Sequence, residues 1–247
     1  MSNFDYSTAP FPIRNDIAEA HRSYWAKLAT PGSWWTANER IAIAQETRNA
    51  SSCDFCQERK AALSPYSVTG THNSHTGLSE TAVDAVHRII TDQTRITQHF
   101  VDQLAQASIS NEAYVELAGI AVCTFSIDEF HRALGLPMEP LPEAQPGQPD
   151  HYRPAQAEKE VGFVPMLPRE GLTGAEADLW PGGRSANVIR AFSLVPAAVK
   201  DWLALSAAQY LSVPRMADMF KQDDRAIDRM QMELVAGRVS AVNECFY

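Results

Sequence analysis

Cys53 and Cys56, separated by two residues, stand in the run Ser51-Ser52-Cys53-Asp54-Phe55-Cys56-Gln57-Glu58-Arg59-Lys60. The residues after them favour a helix, and Ser51 or Ser52 can cap it by accepting bonds from its first free N–H groups. Both sulfurs then occupy the first turn, where the positive end of the helix dipole favours a thiolate. About one turn apart, they are within reach of a disulfide. A reactive dithiol is the leading reading, with a buried structural pair or half of a zinc site as the alternatives.

The metal alternative reads Cys-x2-Cys-x15-His-x2-His, with His72 and His75 as the imidazole ligands. Two thiolates and two imidazoles can hold zinc tetrahedrally. A nucleophilic dithiol needs instead a group that takes its proton. Glu46, seven residues before Cys53, falls two turns back on the same helical face. Glu58 adjoins Cys56, and the charge of Lys60 can lower a thiol pKa. His87 and His131 sit beside apolar helix positions and read as partly buried side chains, with a relay from a distant helix as the functional alternative. Cys123, within Ile120-Ala-Val-Cys-Thr-Phe, reads as core.

The elements that must position these residues are helical. Ile17, His21, Tyr24, Trp25 and Leu28 repeat at helix spacing until Pro31-Gly32, and Ile41, Ala44 and Arg48 lead into the cysteine pair. After a loop over 66–78, Ser79 caps a helix carrying Val83, Val86 and Ile90. A break at Asp92-Gln93-Thr94 precedes Phe100, Val101 and Leu104. Ser110 opens a long helix that Gly135 and Pro137 close. Six prolines between Pro137 and Pro154 mark a stiff linker over 137–159. Beyond it, Thr173-Gly-Ala-Glu176 fits a capping box, Pro196 suits a first helical position, and a last amphipathic segment begins near Asp224. Alternation of period two is nearly absent. The chain reads as all-α, with about eight to ten helices.

A chain of 247 residues can bury a sizeable core as one large domain or two small ones. Its formal charge of −9, without a basic stripe, argues against nucleic acid as a partner. No apolar run approaches a membrane span, and residues 1–12 lack a signal peptide's pattern. Four cysteines in this length are no disulfide framework, so a reducing cytoplasm is the expected compartment.

The last segment, 229–247, aligns with residues 37–55: Cys245 falls on Cys53, and Phe246-Tyr247 on Asp54-Phe55. Here the chain resembles the AhpD-like alkylhydroperoxidases and carboxymuconolactone decarboxylases, whose motif is Glu-x11-Cys-x2-Cys-x3-His in an all-helical fold. Cys53 and Cys56 match its cysteine pair. The run 78–136, with Phe130-His-Arg-Ala-Leu-Gly-Leu-Pro137, is similar to the family's distal helices. Glu233, twelve residues before Cys245, matches its Glu–Cys interval. Ile41 and Lys60 occupy the motif's Glu and His positions in the first half, and the second half stops before the second Cys.

The resemblance implies two pseudo-repeats, 15–136 and 160–247, joined by the proline-rich linker 137–159. It implies a thiol peroxidase in which Cys56 attacks a hydroperoxide and Cys53 resolves the product as a disulfide. An external thiol reductant reopens that disulfide. Glu46, Lys60, Glu233 and Cys245 are the further expected site residues. No metal or organic cofactor is implied, and a homo-oligomer is. A lactone decarboxylase, or a degenerate scaffold lacking the full motif, are the rival expectations.

Overall fold

The helices form where apolar spacing and capping residues agree. In the computed structural model, which describes residues 4–216, 218, 220, 225–243 and 245, the first half folds into six α-helices. These are α1 (Asn15–Leu28), α2 (Ala37–Ala50), α3 (Asp54–Ala61), α4 (Glu80–Thr91), α5 (Gln98–Gln106) and α6 (Asn111–Ala133). The face that α1 buries is the expected one: Ile17, His21, Tyr24, Trp25 and Leu28. Thr36 and Glu39 close a reciprocal capping box at the start of α2. Ser79 and Ser110 cap α4 and α6. Gly135, at φ +68°, ends α6 in the left-handed conformation that glycine adopts without steric cost. The Leu136 N–H then reaches back to the His131 carbonyl and the Gly135 N–H to that of Arg132.

Helix α6 is the centre of the molecule, packing against α2, α4 and the later helix α8 (Pro196–Gln209), which also lies along α1. Apolar packing alone leaves helices free to slide, and two ion pairs, one buried and one part-buried, set the register of α2 on α6. Arg40 Nη1 donates to Glu116 Oε1 at 3.1 Å, and Arg48 grips both oxygens of Asp128 at 2.7 and 2.8 Å. With Arg48 locked on Asp128, the opposite side of α2 is presented to α4.

The proline-rich stretch does not stand away from the helices. The Trp25 indole donates to the Pro140 carbonyl, while the backbone N–H groups of Gln145 and His151 donate to the carbonyls of Ala29 and Ser33. Residues 137–159 thus run as a strap along the first half. The expectation of a wholly helical 160–247 needs correction. Residues 160–186 are irregular, with a single 3-10 turn at Gly174–Glu176 and two isolated antiparallel bridges, Glu158 to Met166 and Glu170 to Arg184. Thr173 does not cap that turn. Gly182 and Gly183 both take positive φ there, which a helix forbids. Beyond them come α7 (Asn187–Arg190), α8, α9 (Val213–Met216) and α10 (Arg229–Val242).

The expected start of the last helix near Asp224, and Phe246-Tyr247 of the proposed repeat, lie outside the described residues. Within them, the two aligned helices differ in environment: α2 is largely buried, whereas α10 buries only Met232. The described residues form ten α-helices and no strand, an all-α fold. No described helix is long and apolar enough to cross a membrane.

Replacing Arg48 with Met would leave the Asp128 carboxylate buried without its cation. An uncompensated buried charge costs about 3–5 kcal/mol. Urea unfolding of Arg48→Met is expected to show a loss of that size, whereas a loss of about 1 kcal/mol or less would mark the pair as an exposed-type bridge.

Candidate functional site

Three elements converge on the cysteine pair. Cys53 is the N-cap residue of α3 and Cys56 lies in its first turn. Neither serine caps the helix, contrary to expectation, and the Ser52 hydroxyl donates instead to the Asn49 carbonyl at the end of α2. Both thiols are buried, under a small cluster completed by Phe55 and Val68. The Arg59 guanidinium lies over the Phe55 ring, 3.9 Å from its centre.

Two imidazoles face the sulfurs. His72, in the loop after α3, places Nδ1 3.6 Å from Cys53 Sγ and 3.5 Å from Cys56 Sγ. His87, from the middle of α4, places Nδ1 3.2 Å from Cys56 Sγ. The two rings are 4.2 Å apart, and the four donor atoms all lie within 4.8 Å of one another.

A carboxylate holds the far side of each ring. His87 Nε2 meets Glu46 Oε2 at 3.0 Å, with both side chains fully buried. Glu46 Oε1 also accepts the hydroxyls of Ser74 at 2.5 Å and Thr76 at 2.6 Å. Burial pushes the Glu46 pKa up, but the bonds from His87, Ser74 and Thr76 outweigh it and bring it down to about 2. His72 Nε2 meets Asp84 Oδ1 at 3.0 Å, and Asp84 is further clamped by Arg59 at 3.1 Å and Arg88 at 2.7 Å. Burial again opposes ionisation, and the His72 bond with the two guanidinium charges brings Asp84 down to about 2.

These partners decide the tautomer of both histidines. An ionised carboxylate only accepts hydrogen bonds, so Nε2 carries the proton on each ring. On the neutral ring, Nδ1 is left with a lone pair facing the sulfurs. On both sides the order is carboxylate, imidazole, sulfur. Such a chain can accept a thiol proton, and its inner atoms also form a donor set of two sulfurs and two nitrogens.

Of the expected site residues, Glu46, Cys53 and Cys56 are brought together. Lys60 and Glu58 are exposed on α3, outside the cluster. Glu233 pairs with Tyr210 and Arg229, and Cys245 is exposed beyond α10. His75 is exposed, so the second imidazole of the site is His87. His131 belongs to a separate network, where Tyr6 Oη touches its Nε2 at 2.9 Å and His21 Nδ1 at 2.5 Å. Cys123 is buried core, as expected.

The expected depression of a thiol pKa is corrected for Cys56. Burial, with Cys53 beside it, pushes that thiol up to about 12, and a bond from Thr91 offsets only part of the shift. Sequence reasoning did not single out Asp84, and its signal was the spacing Asp84-x2-His87, which puts both side chains on one face of α4. Two clefts lie away from the dithiol. One is lined by Tyr24, Arg40, Glu116 and Asp201, the other by Thr47, Arg48, Phe125 and Asp128. No family model, curated protein or solved structure matches the chain.

Glu46 links the site to stability. Its carboxyl has an ordinary value of 4.5 and is held at about 2 in the fold, so the unfolded chain binds its proton first as pH falls. Its contribution is complete above about pH 4.5 and is lost progressively as pH falls towards 2. Urea unfolding between pH 6 and 3.5 is expected to show a shallower loss of stability in Glu46→Gln than in the parent. Equal slopes would mean that folding does not lower the Glu46 pKa.

Proposed function

We propose that the protein is a thiol-dependent oxidoreductase of the AhpD-like kind, reducing hydroperoxides through a dithiol–disulfide cycle. The observation that carries this reading is the line Glu46–His87–Cys56, with contacts of 3.0 and 3.2 Å. Ile41 and Lys60 stand where the AhpD-like motif has its Glu and His. Glu46, less than two turns along from Ile41, and His87, from another helix, supply the same two groups in space.

The Cys56 thiol passes its proton to His87 Nδ1, and Glu46 stabilises the imidazolium through Nε2. The Cys56 thiolate attacks one peroxide oxygen and the O–O bond breaks. Sulfur loses two electrons to become a sulfenic acid, and the leaving oxygen takes the proton from His87 to depart as an alcohol or water. The Cys53 sulfur then attacks Cys56, a disulfide forms, and the sulfenic oxygen leaves as water. An external dithiol supplies the two electrons and two protons that reopen the bond.

The high pKa of Cys56 keeps the thiolate scarce until His87 accepts the proton, so a slow enzyme is expected. Burial of both thiols restricts the substrate to small hydroperoxides that reach Cys56 past the loop carrying His72. A reducing, cytoplasmic setting fits the need for a thiol reductant. The homo-oligomer also remains part of the proposal, and the apolar residues that α10 exposes, Met230, Leu234, Val235 and Val239, support it.

Peroxide is expected to convert the reduced protein to a Cys53–Cys56 disulfide, seen by peptide mapping. Cys56→Ser is expected to abolish peroxide consumption, and Cys53→Ser to leave a sulfenic acid on Cys56 that dimedone traps. His87→Gln is expected to slow consumption about 100-fold or more, the usual scale of a positioned base. Undiminished consumption in Cys56→Ser would end the redox reading.

A further inference from the structure

The four inner atoms of this site, two sulfurs and two Nδ1 nitrogens, do more than a proton relay requires. A relay through His87 uses one imidazole and one thiol. His72, whose Nδ1 lies between both sulfurs, has no part in it. We infer that the reduced site binds one zinc ion through Cys53 Sγ, Cys56 Sγ, His72 Nδ1 and His87 Nδ1.

The geometry suits that ion. Zn–S bonds of about 2.3 Å and Zn–N bonds of about 2.0–2.1 Å at tetrahedral angles set an S···N separation of about 3.6 Å. The three close S···N separations here are 3.6, 3.5 and 3.2 Å. The charge suits it too. Two thiolates neutralise a divalent cation, and the Asp84 carboxylate behind His72 is already balanced by Arg59 and Arg88.

The surroundings complete the match. Each zinc-ligating histidine ordinarily donates its other N–H to a carboxylate or carbonyl, which fixes the ring and raises its basicity. Both rings have that partner here, Glu46 for His87 and Asp84 for His72. Four protein ligands in a buried pocket leave no open position, which is the signature of a closed rather than a catalytic zinc site. A tetrahedral S2N2 set also selects zinc among the common divalent metals over those that prefer oxygen.

Zinc here would tie α3, the loop 68–78 and α4 together. It would also hold both sulfurs as thiolates, with two thiol protons released on binding. Peroxide that joins the sulfurs as a disulfide, taking two electrons from them, removes two of the four ligands and frees the ion. The metal inference rests on the donor geometry and stands without the redox reading.

The test uses the full chain, purified under reducing conditions, stripped with a chelator and titrated with Zn2+ and with Co2+. The expected result is one metal per chain, and a cobalt spectrum with thiolate charge-transfer absorption and strong tetrahedral bands. Glu46→Gln and Asp84→Asn are expected to weaken zinc binding about 10–100-fold. His72→Ala and His87→Ala are expected to weaken it further, while His75→Ala leaves it unchanged. The spectrum of the parent protein needs no variant to fold. Absence of stoichiometric metal overturns the inference, as does a cobalt spectrum without thiolate bands, or zinc binding that His72→Ala and His87→Ala leave intact. Peroxide consumption measured on the same metal-free sample separates the two readings. Consumption without zinc binding removes only the metal site, and zinc binding without consumption removes only the peroxidase.

Discussion

A fully buried carboxylate constrains everything around it, and Glu46 is that group. An ionised side chain away from water is tolerable only if its oxygens are occupied by donors. Glu46 finds three, the hydroxyls of Ser74 and Thr76 and Nε2 of His87. The first two fix the path of the loop 72–76, and the loop brings His72 over the sulfurs. The third fixes the tautomer of His87 and turns its Nδ1 to Cys56. The chemistry of the site follows from where one acid is buried.

That acid is held in place by the opposite side of its own helix. Helix α2 carries few large apolar residues, and its inner face includes Arg40, Glu46 and Thr47 beside Ile43 and Ala44. Packing of small side chains does not define a register by itself. The ion pairs Arg40–Glu116 and Arg48–Asp128 do, and they lock α2 on α6 so that Glu46 meets α4. Helix α4 contributes Asp84 and His87 from adjacent positions on one face, so a single helix orients both imidazoles. Pairing of the first carboxylate with His72, and of the second histidine with Glu46, crosses between loop and helices and ties them together.

Much of the fold was legible in the residues. The faces of α1, α4 and α6, the caps at Ser79 and Ser110, and the stop at Gly135 all follow local rules, because each rests on neighbours within a turn or two. The dithiol, Glu46 and a part for His72 were also readable from spacing. The role of His87 was not, since it lies 31 residues from Cys56 and depends on how α2 and α4 pack. The thiol environment departs from the expectation for a related reason. Helix position argues for an easily ionised thiol, but burial of Cys56 outweighs the dipole. In 160–186 the prolines and glycines outweigh the apolar pattern, and the strap at 137–159 is extended yet packed because its backbone groups find partners on the first half.

Metal binding needs an Nδ1 lone pair facing the sulfurs on both histidines, and the proton relay needs it on His87. The most direct measurement is the tautomeric state of His72 and His87 in the reduced, metal-free protein, read from long-range nitrogen–proton correlation spectra of the imidazole rings. In their neutral form both rings are expected to be protonated at Nε2 and bare at Nδ1. Protonation at Nδ1 with a bare Nε2 on either ring would contradict this, because that Nδ1 could not ligate a metal, and on His87 it could not take a proton from Cys56.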